Sequence, residues 1–260
     1  MVFKKLLGAL GVGGPSVDTV LNGGAVVPGA ALTGQVLVEG GTMDAEITQV
    51  TLDFVARVES ESQDVETEGT VIFHREVVGG GFKLAEGARF SIPFSVGVPW
   101  ETPVNEVYGR PIGVSLGVRT ELAVAGALDQ GDLDPLLVRP MPVQQAVLDA
   151  FAQLGFGFKS ADLELGRIGG TGQTLPFYQE IELTPPGQYA HAIREIELTF
   201  LASPGGVEIV LEADKRGGLF SGGGDALNRH VVGHADVAGV NWTAQVDGWV
   251  QQLAARRGHG

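Results

Sequence analysis

Thr48-Gln49-Val50-Thr51-Leu52-Asp53-Phe54-Val55-Ala56-Arg57-Val58 alternates, with Val50, Leu52, Phe54, Ala56 and Val58 apolar at the even positions. Successive side chains of a strand point to opposite faces, so this spacing predicts a half-buried strand of an antiparallel sheet. Outward from it lie similar Val/Ile/Thr/Phe-rich runs at residues 17–21, 32–39, 70–78, 89–96 and 112–125. Turn signals separate them: Asn22-Gly23-Gly24, Pro28-Gly29, Glu39-Gly40-Gly41, Gly79-Gly80-Gly81 and Glu86-Gly87. Glycine supplies the positive φ angles such turns need, and proline pre-sets φ. No helical pattern in this half is long enough to cross over a parallel sheet, so the run predicts a β-sandwich.

Farther on the character changes. Gly126 to Pro135 is acidic and turn-like, and Pro140-Met141-Pro142 interrupts any continuing strand, which places an inter-domain linker here. A helix follows, because Val143, Ala146, Val147, Ala150, Phe151 and Leu154 share one helical stripe, with Pro142 at the first turn and Gly155 past the end. A second strand series spans 157–165, 175–183, 193–201, 207–212 and 229–237. The chain closes on a helix with Val246, Trp249, Val250 and Leu253 as its stripe, Thr243 as the expected N-cap, and Arg256 and Arg257 near its end. The expected architecture is mainly β: two tandem antiparallel β-sandwich domains, 1–130 and 156–260, joined by a linker and helix at 131–155.

The totals agree with a globular chain. Hydrophobic residues make up 44% and charged ones only 18%, enough apolar surface to offset chain entropy. There is no cysteine, which removes disulfides and thiolate chemistry and fits a reducing cytoplasm. With 17 Lys plus Arg against 31 Asp plus Glu, the net charge of −14 repels phosphate backbones, so nucleic acid is not an expected partner. At the start, Phe3, Leu6, Leu7 and Leu10 fall at helical spacing behind Lys4 and Lys5. Residues 1–12 read as a short amphipathic helix that caps the first domain, with reversible membrane docking as the sharper alternative.

No motif supplies a catalytic centre, and no cofactor is expected. Ser221, in Leu219-Phe220-Ser221-Gly222-Gly223, misses the G-x-S-x-G spacing of a nucleophile elbow. Gly11-Val12-Gly13-Gly14 precedes a strand rather than opening a helix, so it is no dinucleotide fingerprint. His230 and His234 lie in a segment read as strand, where residues four apart are ~13 Å from each other, too far to share a metal. Asp162 and Glu164 read as the exposed face of one short strand, and His74 and His191 are solitary.

Two acidic groups remain. Glu59, Glu61, Asp64, Glu66 and Glu68 lie between two strand-like runs, either as a solvated hairpin tip or as a docking point for a basic partner. Asp129, Asp132 and Asp134 suit turn formation and strand capping, and alternatively would hold an inter-domain hinge or bind calcium. For calcium, the D-x-x-D-x-D spacing lacks the glycine and the distal glutamate of an EF-hand loop.

Several strings together resemble one family. They are Phe3-Lys4-Lys5-Leu6-Leu7, Val17-Asp18-Thr19-Val20-Leu21, Pro28-Gly29 before Gly34-Gln35-Val36, Thr102-Pro103, the three linker aspartates, and Leu154-Gly155-Phe156. The most specific is Leu175-Pro176-Phe177-Tyr178-Gln179-Glu180-Ile181-Glu182-Leu183, followed by Tyr189 and Glu195-Ile196-Glu197-Leu198. In this order, over nearly the whole chain, they resemble the bacterial SpoOM-type sporulation-control proteins, whose members look like arrestins. The resemblance implies an intracellular, two-domain, arrestin-like protein without a catalytic centre, acting through contacts with other proteins. The glycine-rich stretch 217–224 departs from the family pattern, so nothing specific to it carries over. Strand addition to a sheet edge is the expected binding mode, since it needs no catalytic residue. The alternative is a small-ligand or carbohydrate-binding β-sandwich.

Overall fold

The computed structural model describes residues 13–62, 65–214 and 228–255. The strands begin with β1 (Ser16–Leu21), β2 (Ala31–Glu39), β3 (Ala45–Ser62), β4 (Val65–Gly79), β5 (Phe82–Leu84) and β6 (Arg89–Gly97). Then come β7 (Glu106–Val107), β8 (Arg110–Pro111), β9 (Leu116–Val124) and β10 (Gln130–Pro135). After helix α1 (Pro142–Gln153) follow β11 (Gly157–Leu165), β12 (Phe177–Thr184), β13 (Glu195–Ser203), β14 (Gly206–Asp214) and β15 (Asn228–Gly233). A 3-10 turn (His234–Val237) and helix α2 (Trp242–Ala255) end the described chain. The mainly β reading holds.

The chain divides into two compact units. The first takes the described residues up to Val58, then Glu68–Pro99 and Ser115–Arg139, and the second takes the rest, including Trp100–Val114 and α1. In the first unit one sheet runs β1-β2-β6. The other runs β10-β9-β3, with β4 and β5 also paired to β3. The sheets meet face to face: Thr19 Oγ1 of β1 lies 2.6 Å from Thr120 Oγ1 of β9. A Cβ placed on Gly79 would touch both Ile92 of β6 and Val50 of β3. Leu32, Val36 and Val38 on one side and Val50, Leu52, Phe54 and Leu122 on the other are buried, forming the sandwich core.

Two expectations change here. β3 is buried on both faces: Thr51, Asp53 and Val55 are as inaccessible as the even positions. Over Asp53 the cause is ionic, because Arg75 of β4 and Arg119 of β9 close on its carboxylate. Alternation alone cannot reveal a face covered by neighbouring long side chains. The acidic stretch read as linker contains β10, which pairs with β9 from Gln130↔Leu122 to Pro135↔Gly117. An edge strand tolerates the Gly, Asp and Pro that argued against a strand.

In the second unit the strands pair antiparallel in the order β11-β12-β13-β14-β15. One face is apolar and carries Ile181 and Leu183 of β12, Ile196 and Leu198 of β13, and Ile209 and Leu211 of β14, all buried. Helices lie on that face, as the His230 ring of β15 stacks on Trp249 of α2 at 4.2 Å. α1 and the small β7–β8 ribbon border one cavity with β11 and β12 of this sheet. The α1 stripe and its limits appear as expected, with Gly155 in the left-handed region (φ 89°) just past the end. The α2 stripe Val246, Trp249, Val250 and Leu253 is buried. Its cap is Asn241, whose Oδ1 accepts from Ala244 N, while Thr243 bonds Gln153 instead. Arg256 and Arg257 lie outside the described residues.

Candidate functional site

Each predicted site residue has a definite place. Asp129 Oδ1 accepts from Val124 N at 3.2 Å, closing the β9–β10 turn. Asp132 Oδ2 accepts from Thr19 N at 3.0 Å and so ties β10 to β1. Asp134 pairs through its backbone with Val118. These contacts all run inside the first unit. Of the acidic hairpin, Glu68 pairs with Arg57, and Glu59 forms a parallel bridge with Glu164 of β11. Glu61 and Glu66 belong to β3 and β4, and Asp64 lies outside the described residues, as do residues 1–12 and 217–224. His234 bonds Ser203 O and packs on Trp100, away from the His230–Trp249 stack. Among the described residues no group of three or more His, Asp or Glu is arranged to hold a metal.

The features that stand out belong to the second unit. The sheet face away from the helices is acidic. Asp162 of β11 pairs across to Glu180 of β12, and Ser160, Glu182, Glu197 and Glu212 fall in one row over four strands. Like charges directly opposite are unfavourable, so the face needs compensation. Part comes from Lys159, which a bulge between Phe158 and Ser160 turns toward Glu182 (2.7 Å) and Glu195 (2.6 Å). Glu182 accepts from Lys159 and Ser160, and these bonds outweigh burial and hold its carboxyl below the usual range. Glu180 has no such help. Burial, then the charges of Glu197, Asp162, Glu164 and Glu212, push its pKa up to about 8.

This sheet ends at β15, which among the described residues pairs only with β14. β15 holds no proline, and Val231, on the acidic face opposite Glu208, is 78% exposed. Other edges differ: β6 carries Pro93 and β10 ends on Pro135, neither with an N–H to offer, and on β1 the Thr19 N–H is taken by Asp132.

On the helix-covered face a cavity of about 280 Å³ opens between α1, β11, β12 and the β7–β8 ribbon. Its wall is apolar, with Leu148, Phe151, Phe158, Ile181 and Leu183, and Arg110 and Tyr108 stand at the ribbon side. The ribbon is held in place from below. Buried Gln179 accepts from Val104 N (2.9 Å) and donates to Val104 O (2.7 Å), fixing the segment that leads into β7. Glu101 accepts from Thr174 and Leu175. The ribbon turns through Tyr108 (φ 52°) and Gly109 (φ 72°), both left-handed as a two-residue type I′ hairpin requires. Tyr108 is the one non-glycine residue with positive φ among those described, and its hydroxyl donates to Asp149 of α1 at 2.7 Å. Burial and that neighbour push the phenol pKa up to about 12.

Tyr108, Arg110, Phe158 and the β15 edge escape the sequence reading. Strands of two residues leave no period to detect; the one local signal was Tyr108-Gly109, a turn dipeptide between Val107 and Arg110.

Comparison with known proteins adds a common origin. A family model described as SpoOM protein matches residues 3–217. The chain is 34% identical over 215 residues to the sporulation-control protein spo0M of Bacillus subtilis, covering 82% of this chain and 81% of that protein. The crystal structure of that Bacillus subtilis protein superposes with a TM-score of 0.81 at 29% identity, covering 94% of this chain and 99% of that one. The name of the relative is regulatory rather than catalytic. With a family match over residues 3–217, a superposable fold and this much shared sequence, the chain belongs to the SpoOM family of sporulation-control proteins.

Proposed function

We propose that the protein is a non-enzymatic, cytoplasmic adaptor of the sporulation-control type that binds other proteins by accepting an extended segment as an added strand. The observation that carries this reading is the edge of β15, unpaired among the described residues, unprotected by proline and bearing the exposed Val231. An unpaired edge of that kind is a template for another chain, and natural proteins usually blunt it. The acidic face beside it, and the net charge of −14, favour a basic segment. Absence of cysteine agrees with a reducing compartment. Among the described residues no helix is long and apolar enough to cross a membrane.

The test is affinity purification of the whole chain and of Val231→Asp, with identification of what is retained and hydrogen exchange on the complex. Expected are defined proteins that protect the amides of residues 228–233 and are lost with Val231→Asp at unchanged melting temperature. Retention by the variant, protection at another edge, or turnover on an ester or glycoside panel would overturn the reading.

A further inference from the structure

The cavity beside α1 is not used by strand addition, and its chemistry points elsewhere. Its volume of about 280 Å³ falls just below the roughly 300–1,000 Å³ of drug-sized ligand sites, which suits a smaller ligand. At roughly 30 Å³ for each water-sized group, it has room for a chain of about eight or nine methylenes. The inner wall is apolar and largely covered, with Phe151 and Ile181 each 1% exposed and Leu183 4%, and Phe158 stands open at 53%. An alkyl chain reaching them would leave water for apolar contact along its length.

The polar groups sit at one side only. Arg110 lines the cavity from β8, and no ion pair engages it among the described residues. Asp149 of α1, which reaches the ribbon, is already engaged: its Oδ1 accepts from Tyr108 OH and from Gln145 Nε2, each at 2.7 Å. Arg110 is thus the cation left to meet a ligand, and a guanidinium matches a carboxylate by two parallel bonds. On the other side of the mouth the Tyr108 hydroxyl bonds Asp149 of α1. That bond pins the ribbon to α1 and keeps the mouth between them formed.

We propose that this cavity binds a free medium-chain carboxylic acid, the alkyl chain among Phe151, Ile181 and Leu183 and the carboxylate on Arg110. The site does not rest on the adaptor reading, since β15 takes no part in it.

Octanoate, titrated calorimetrically into the whole protein below its micelle concentration, is the probe. Octanamide presents the same chain without the charge, as an acylated protein would. Ala152→Trp fills the mouth from an exposed position of α1, where a large side chain does not disturb the core. Circular dichroism on each variant establishes that it folds. Octanoate is expected to saturate one site, to lose binding in Ala152→Trp, and to weaken at least about tenfold in Arg110→Gln. Octanamide is expected to bind about tenfold more weakly than octanoate and to be indifferent to Arg110→Gln. No saturable octanoate binding by the folded wild type, equal binding by Ala152→Trp, or octanamide binding as tightly as octanoate would each overturn the proposal.

Discussion

Asp53 is fully buried on β3 and takes four hydrogen bonds from two arginines: Arg75 Nε at 2.6 Å and its terminal nitrogen at 2.8 Å, Arg119 Nε at 3.2 Å and its terminal nitrogen at 2.5 Å. Burial pulls its pKa upward, but the bonds from Arg75 and Arg119 outweigh that and hold it below the ordinary 3.8. A carboxyl whose pKa is lowered by folding stabilises the fold above its unfolded pKa. That contribution is lost as pH falls from about 4 through the folded value. Asp53→Asn keeps the shape and removes the charge. Urea unfolding at pH 7 should show a loss of roughly 1–3 kcal/mol, because charge-assisted bonds become neutral ones. Between pH 5 and pH 3 the variant should lose less stability than the wild type, and parallel losses would remove the ionic account. In the sequence this residue was one more polar member of an alternating run; what distinguishes it is the arrival of Arg75 and Arg119 from strands 22 and 66 positions away.

Among the elements, the strands with a long apolar period were legible, and β11 appeared at its full extent, residues 157–165. α1 was legible too, since six apolar positions on one stripe between Pro142 and Gly155 leave no other reading. β10 was not, because its two aspartates, glycine and terminal proline carry turn chemistry and only pairing with β9 makes it a strand. The β7–β8 ribbon was missed for want of length, and with it the cavity. Its position depends on Gln179, known beforehand only as part of the string by which the chain resembles its family. Gln179→Met removes both bonds to Val104 and strands a buried N–H and C=O. A loss of roughly 2–4 kcal/mol is expected, with faster hydrogen exchange at Val104 and Val107. In the first unit Gly34 of β2 is similarly constrained: a Cβ there would lie 2.4 Å from Val20 O and 2.6 Å from the Phe94 ring. Gly34→Val should therefore lower the melting temperature, at a cost on the order of 1–3 kcal/mol, whereas Gly97→Val on β6, facing open space in ordinary strand backbone, makes no such clash.

At the scale of the whole molecule the charge of −14 is unevenly spent, and the helix-free face of the second sheet concentrates it. Glu180 is enclosed there by Asp162 and Glu164 of β11, Glu197 of β13 and Glu212 of β14, and its pKa stands at about 8 against an ordinary 4.5. A carboxyl raised by folding stabilises the fold below its unfolded pKa, and this contribution is lost as pH rises through the folded value. From about pH 4.5 to about pH 8 the second unit should lose at most roughly 1.4 kcal/mol per pH unit from this group. Asp53 acts in the opposite direction at lower pH, so these two contributions taken together are largest at about pH 4. Glu180→Gln keeps a neutral group of the same size in the row and removes the titration. Thermal unfolding from pH 5 to pH 9 should then be flatter than in the wild type, with the variant the more stable of the two at pH 9. The change bears on binding as well, since a basic segment laid along β15 would favour the ionised face and recover part of what the isolated fold loses. A variant whose profile declines as steeply as the wild type would mean that the enclosure of Glu180 by its neighbours does not govern the charge of this face.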